Sequence, residues 1–123
     1  MAGVRYMVRD VAGARDFYVG LLGFVVVEGY GPAMAILRRD DLTLWIAGPP
    51  SSAAKPMTDG RLPEPGGWNR FVIEVDDIEA TVARLQAAGA AFRNAIVRGP
   101  GSAQILVGDP SGNPVELFQR RTA

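Results

Sequence analysis

The chain has 123 residues, of which 48% are hydrophobic and 21% are charged, a composition typical of one folded globular domain. Lysine plus arginine and aspartate plus glutamate each total 13, so the net charge provides no basic surface for nucleic acid or for an anionic membrane. Cysteine and histidine are both absent from the sequence, which excludes disulfides, cysteine nucleophiles and any catalytic site that needs imidazole. We expect neither a signal peptide nor a membrane span, and therefore a cytoplasmic protein.

The first half of the chain, residues 1–48, predicts a strand, a helix and three further strands, which we call the first module. Side chains alternate in character over 4–10, as in a strand. Asp10 can cap a helix from Val11 to about Leu22, and Gly23 can end it. The strands that follow are predicted at 24–28, 33–39 and 42–47, with a tight turn at Asp40 and Asp41 between the last two.

Residues 49–69 separate the two halves and are rich in proline, glycine and serine without clear periodicity. They predict a linker, and so long a structureless segment is uncommon inside a compact domain. Its simplest interpretation is a tether between two modules. The alternative is a lid that closes over a ligand, with Trp68 as its apolar contact.

The second half, residues 70–123, repeats the order of the first and forms the second module. A strand at 71–75 precedes Asp77, which can cap a helix to about Ala88, and Gly89 can end that helix. Further strands are predicted at 91–97, 102–107 and 115–119, with turns at 99–101 and 109–114. The repeat indicates an internal duplication, and we expect an α+β fold of two β-α-β-β-β modules in a single domain spanning the chain.

Three stretches carry a family resemblance. Residues 10–24 read DVAGARDFYVGLLGF and resemble the first helix of the vicinal oxygen chelate superfamily, which includes glyoxalase I, extradiol dioxygenases and bleomycin-resistance proteins. Residues 75–90 read VDDIEATVARLQAAGA and resemble its second helix, while residues 108–119 read GDPSGNPVELFQ and resemble its closing strand. The resemblance implies that the sheets of both modules curl around a shared cavity and that the protein forms a homodimer.

Metal-using members of this superfamily hold their ion with residues from the first and last strand of each module. The first-strand ligand, usually histidine, precedes the capping aspartate by seven residues, which corresponds to Gly3 and Arg70 here. The last-strand ligand, usually glutamate, corresponds to Trp45 and Glu116. Only Glu116 matches, so we expect no metal and no other cofactor. A catalytic zinc needs about three protein ligands, and the permanent charge of Arg70 repels a cation beside Glu116.

Strand alternation predicts which side chains face away from the helices. If both sheets turn that face inward, the cavity is lined by Arg5, Met7, Trp45, Arg70, Glu74, Glu116 and Phe118, with Trp68 added from the linker. An apolar, aromatic wall with a few charges is typical of a small-molecule pocket.

These residues also have structural interpretations. Arg70 and Glu116 either form an ion pair that replaces a lost metal or bind a polar ligand together. Arg5 either binds a carboxylate or phenolate or is a solvated arginine at a sheet edge. Trp45 and Phe118 either belong to the core or stack on a flat aromatic ligand.

Three functions remain as hypotheses. The first is a metal-free protein that binds a small organic ligand, for instance sequestering an aromatic compound or natural product as an antibiotic-resistance protein does. The second is an enzyme: a metal-dependent glyoxalase-like lyase or isomerase or a dioxygenase that uses Glu116, or a metal-free catalyst in which Glu74 and Glu116 act as acid and base. The third is a protein-interaction module without a small-molecule ligand.

Overall fold

The structure, a computed structural model, describes residues 1–120. Its elements in chain order are β1 (Gly3–Met7), α1 (Val11–Leu22), β2 (Val25–Tyr30), β3 (Met34–Arg39), β4 (Leu42–Ala47), a 3₁₀ turn (Ser52–Ala54), β5 (Val72–Glu74), α2 (Ile78–Ala87), β6 (Ala91–Phe92), β7 (Val97–Arg98), β8 (Ser102–Gly108) and β9 (Pro114–Arg120). The predicted α+β fold of two β-α-β-β-β modules is confirmed. Within this described part of the chain, neither helix is long and apolar enough to cross a membrane.

The first module forms a four-stranded mixed sheet in the order β1-β4-β3-β2. Strand β1 runs parallel to β4, while β3 pairs antiparallel with both β4 and β2. The predicted turn joins β3 to β4, and Asp40 adopts a positive φ of 53° there, a conformation that tight hairpin turns need and that aspartate tolerates. Leu37, Leu44 and Ile46 are fully buried on the sheet against which α1 packs.

Helix α1 begins and ends where the sequence predicts. The Asp10 carboxylate accepts a hydrogen bond from the Gly13 N–H, which satisfies one of the free donors of the first turn. Gly23 ends the helix in the left-handed conformation, with a φ of 74°, which glycine adopts without steric cost. On the buried face, the Tyr18 ring meets Phe24 edge-on with centroids 5.4 Å apart, an arrangement that aromatic pairs favour.

The second module forms a mixed sheet in the order β5-β9-β8-β6, and β7 also pairs with β8. Strand β5 is parallel to β9, and β8 is antiparallel to β9. Asp77 caps α2 as predicted, and the side-chain oxygen of Gln119 on β9 accepts a second hydrogen bond from the Ile78 N–H at 2.8 Å. Val82 and Leu85 are buried on the face of α2 that packs against β9.

The structure corrects one predicted strand, because residues 91–97 are not continuous and divide into β6 and β7. The Arg93 N–H donates to the Leu106 carbonyl at 2.9 Å, as in a ladder. The Leu106 N–H, however, donates to the side-chain oxygen of Asn94 at 3.0 Å. An asparagine side chain thus takes the place of a backbone acceptor and interrupts the strand.

Contacts divide the chain into two compact units. The first unit comprises Met1–Gly66 and Pro110–Asn113, and the second comprises Gly67–Asp109 and the residues from Pro114 onward. Most of the predicted linker therefore folds with the first module, and so does the turn between β8 and β9.

That turn is fastened to the end of β1 by side-chain hydrogen bonds. The hydroxyl and the carbonyl of Ser111 accept from the backbone N–H and the guanidinium of Arg9, both at 2.8 Å. Asn113 donates its amide to the Met7 carbonyl and accepts from the Gly66 N–H, both at 2.7 Å. The GDPSGNP motif thus supplies contacts that hold β1 and the end of the linker.

Candidate functional site

Strand register shows which residues occupy equivalent places in the two modules. Arg5 on β1 lies beside Trp45 on β4, and Val72 on β5 lies beside Glu116 on β9. Arg5 and Val72 each precede the aspartate that caps the next helix by five residues. Trp45 therefore has in the first module the place that Glu116 has in the second.

Arg70 and Glu116 form an ion pair, one of the two alternatives that the sequence leaves open. The Nε and Nη2 atoms of Arg70 lie 3.1 and 2.9 Å from Glu116 Oε1. The Glu116 side chain is only 11% exposed, against 32% for Arg70, so the guanidinium neutralises a carboxylate that water barely reaches. A third hydrogen bond runs from Arg70 Nη1 to the Trp68 carbonyl at 3.3 Å.

A small recess of about 50 Å³ adjoins this ion pair. It is lined by Arg70, Asn94, Gln104, Ile105, Leu106 and Glu116. Asn94 and Gln104 are not among the residues that the sequence predicts for the cavity. Alternation along β8 could have found Gln104, since Gln104 lies beside Phe118 and Leu106 beside Glu116. Asn94 has no such signal because it lies in the irregular segment between β6 and β7.

A divalent metal ion does not fit these residues. Of the four positions that hold metal in the superfamily, only Glu116 carries a carboxylate, and its Oε1 is already bound by a guanidinium. Across residues 1–120 there is no cluster of three or more residues with metal-binding side chains. A cation beside Glu116 would meet the fixed positive charge of Arg70 at close range.

The first module has a recess of about 250 Å³ at the equivalent place, lined by Met1, Gly3, Val4, Arg5 and Trp45. The Arg5 guanidinium lies over the Trp45 ring, 4.6 Å from its centroid, which is within cation–π range. Gly3 is the counterpart of Arg70, and a Cβ atom added there would approach the Thr43 carbonyl at 3.1 Å. A glycine at this position therefore leaves the recess open without crowding the sheet.

Trp45 carries one unsatisfied polar group. Its Nε1 atom is buried and has no hydrogen-bond partner within residues 1–120. A buried N–H without an acceptor costs about 1–3 kcal/mol, and such groups in folded proteins call for an explanation.

Glu74 and Phe118 lie side by side in the β5–β9 register, and Arg120 contacts both. Arg120 Nη2 lies 3.1 Å from Glu74 Oε1, and its guanidinium is 5.5 Å from the Phe118 ring centroid. Glu74 and Glu116 thus each pair with an arginine of their own. The acid–base alternative has no support from this arrangement.

The remaining predicted residues are Met7 and Trp68. Met7 is half-buried, and its carbonyl is held by Asn113. Trp68 is 68% exposed, with the Arg93 guanidinium 4.5 Å from its ring centroid and Arg93 Nη1 donating to the Gly67 carbonyl at 2.6 Å. Arg93 therefore holds Trp68 within the second unit.

Several solved structures share this fold. Lactoylglutathione lyase from Agrobacterium tumefaciens matches with a TM-score of 0.74 and 20% identity, over 97% of this chain and 92% of that one. A virulence protein from Salmonella typhimurium matches with a TM-score of 0.76 and 20% identity, over 98% and 96% of the two chains. A superfamily member from Sphaerobacter thermophilus matches with a TM-score of 0.71 and 22% identity, over 98% of both chains.

No curated protein matches the chain. The family model of the Glyoxalase/Bleomycin resistance protein/Dioxygenase superfamily matches residues 2–117. The resemblance found in the two helices and the closing strand is thereby confirmed. This chain belongs to the Glyoxalase/Bleomycin resistance protein/Dioxygenase superfamily.

Proposed function

We propose that this protein binds a small organic molecule without a metal ion and acts as a binding protein rather than an enzyme. The observation that carries the proposal is the ion pair between Arg70 and the buried Glu116. Glu116 is the only residue that matches a metal-ligand position of the superfamily, and a guanidinium already contacts it. This contact favours recognition of organic groups over coordination of a metal ion.

The recess beside Arg5 and Trp45 supports the same function. Its volume of about 250 Å³ is slightly below the range of pockets for drug-sized ligands, which begins at about 300 Å³. An aromatic side chain and a cation within it suit a flat, partly charged compound. An open recess at this place also disfavours an interaction module whose cavity is packed shut. A sequestering protein binds its ligand without converting it. In this way it can confer resistance to a toxic natural product.

The test is thermal unfolding of the protein with a panel of flat aromatic compounds, each with and without EDTA. A ligand that binds only the folded state stabilises it by RT ln(1 + c/Kd), where c is the free ligand concentration, so Tm rises with the logarithm of the ligand concentration above Kd. We expect at least one compound to raise Tm, and EDTA to leave that shift unchanged. Absence of any shift across the panel, or loss of the shift with EDTA, contradicts the proposal.

A metal-dependent lyase, isomerase or dioxygenase is the second candidate. The observations that favour it are the fold shared with lactoylglutathione lyase and the retention of Glu116 at a ligand position. Elemental analysis of the purified protein separates the two candidates. Stoichiometric zinc, nickel, manganese or iron that is lost in Glu116→Gln supports the enzyme and overturns the metal-free proposal.

The expected homodimer and cytoplasmic location belong to this proposal as well. Strand β2 favours self-association, because all six of its residues are exposed at the edge of the first sheet. An apolar strand edge of this kind favours pairing with another chain.

A further inference from the structure

The recess beside Arg5 and Trp45, called the Arg5 recess below, offers hydrogen-bond donors but no carboxylate. Its side chains come from Met1, Val4, Arg5 and Trp45, with Gly3 contributing none. The Arg5 guanidinium is the charged side-chain group among them, and it only donates. The smaller recess of the second module differs, because Glu116 brings an acceptor to it.

Arg5 is exposed, and it has no counter-ion among residues 1–120. Other arginines of the chain are paired with carboxylates, among them Arg70, Arg98 and Arg120. Arg5 forms no ion pair or side-chain hydrogen bond within residues 1–120, and its recorded partner is the Trp45 ring. Its planar set of donors is therefore available to an anion, and a carboxylate matches that geometry with two parallel hydrogen bonds.

The Trp45 ring is a second observation that points the same way. It lines the recess, where it offers a planar aromatic ligand a ring to pack against.

We propose that the Arg5 recess binds the carboxylate of a small planar aromatic acid, with the Arg5 guanidinium as the donor and the Trp45 ring as the aromatic wall. This proposal rests on the proposed function and narrows it to anionic aromatic ligands. The volume of about 250 Å³ limits the part of the ligand in the recess to a single ring with its acid group.

The test compares benzoate with benzamide, which has the same shape and no charge. The sequence contains two tryptophans, so a Trp68→Phe background leaves Trp45 as the sole source of tryptophan fluorescence. Titrations run at constant ionic strength into the millimolar range, because very small ligands bind weakly. We expect benzoate to bind about tenfold more tightly than benzamide, the ratio that corresponds to about 1.4 kcal/mol. The indole N–H signal of Trp45 in a ¹H–¹⁵N spectrum should also move with benzoate.

Arg5→Gln should reduce the benzoate preference to near parity, measured as the ratio of the benzoate and benzamide affinities within that variant. Arg38→Gln is the matched control: it removes the same charge from an exposed residue of the same sheet and should keep the preference. Arg5→Lys retains the positive charge and should keep part of the benzoate preference. Thermal unfolding without ligand checks that each variant is folded.

The outcomes separate the two proposals. Equal binding of benzoate and benzamide, or a preference that survives in Arg5→Gln, overturns the anion site and leaves the metal-free binding function standing if neutral compounds still raise Tm. Failure of every aromatic compound, charged or neutral, overturns the proposed function and the anion site with it.

Discussion

At the residue scale, the ion pair between Arg70 and Glu116 borders the recess of the second module. Glu116 is buried, and two donor atoms of Arg70 contact one of its oxygens. A buried carboxylate needs a compensating charge or a proton. The arginine provides that charge permanently, so this residue pair is stable without any ligand.

We predict that Glu116→Ala destabilises the protein by about 2 kcal/mol. Breaking a fully buried pair costs about 3–5 kcal/mol, and the loss is smaller here because Arg70 remains 32% exposed to water. The measurement is urea-induced unfolding. Glu79→Ala is the control, since it removes a carboxylate from the exposed pair with Arg98 and should cost less than about 0.5 kcal/mol. Equal losses of stability in both variants would show that the Arg70–Glu116 pair stabilises the fold no more than an exposed ion pair does.

A second residue-scale prediction concerns Tyr30. Its hydroxyl donates a hydrogen bond to the Glu28 carboxylate, and this bond, together with the negative charge of Glu28, raises the pKa of Tyr30 above its usual value. The raised pKa means that the contact is complete at neutral pH and is lost only as the pH rises through the folded-state pKa. Ultraviolet titration should find one tyrosine that ionises at lower pH in Glu28→Gln than in wild type. Tyr30→Phe should abolish that difference, and identical titration curves for wild type and Glu28→Gln contradict the prediction.

At the element scale, the turn between β8 and β9 has a larger role than closing a hairpin. Its residues 110–113 fold with the first unit, where Ser111 and Asn113 hold the backbone around the end of β1. The serine and asparagine of the motif that carries the family resemblance therefore have a structural role. They form hydrogen bonds with backbone groups near the end of β1.

We predict that Asn113→Ala destabilises the protein by about 1–3 kcal/mol. The change removes the hydrogen bonds that Asn113 makes to the Met7 carbonyl and the Gly66 N–H, each at 2.7 Å, and a hydrogen bond contributes about 0.5–1.5 kcal/mol. Chemical denaturation measures the loss. Asn69→Ala, at an exposed position, is the control and should stay within about 0.5 kcal/mol of wild type. A neutral Asn113→Ala would mean that water replaces both bonds.

At the scale of the whole molecule, the surface of β2 is the feature that bears on assembly. Val25, Val26, Val27 and Tyr30 are each about half exposed. The strand reads VVVEGY and has neither lysine nor proline, the residues that commonly protect a strand edge from pairing. A two-fold axis beside β2 would pair it with the same strand of a second copy.

We predict that the wild-type protein is a dimer in light scattering at micromolar concentration and that Val26→Lys is a monomer. A lysine on the edge opposes pairing by charge repulsion and desolvation. Val97→Lys, at another exposed valine, is the control and should remain dimeric. A monomeric wild type overturns the homodimer, and a dimeric Val26→Lys shows that another surface forms it.

Local chemistry was readable from the sequence because it acts over a few residues. The capping aspartates, the glycine after α1 and the hydrophobic spacing determine both helices, so their positions could be predicted. The pairing of Arg70 with Glu116 could also be inferred, because a buried carboxylate requires a partner and Arg70 stands at the first-strand ligand position of the same module.

Tertiary structure decided the features that depend on residues far apart in the chain. Only the fold brings Asn94 against Leu106 to interrupt a predicted strand, gives Glu74 an arginine 46 residues away, and places Arg5 over the Trp45 ring. Alternation along a strand identifies the face of each side chain. It carries no information on which charges meet, because those contacts depend on strand register and on irregular segments. The composition thus determined which residue types this protein lacks, and the packing of its strands determined which of its charges pair with one another.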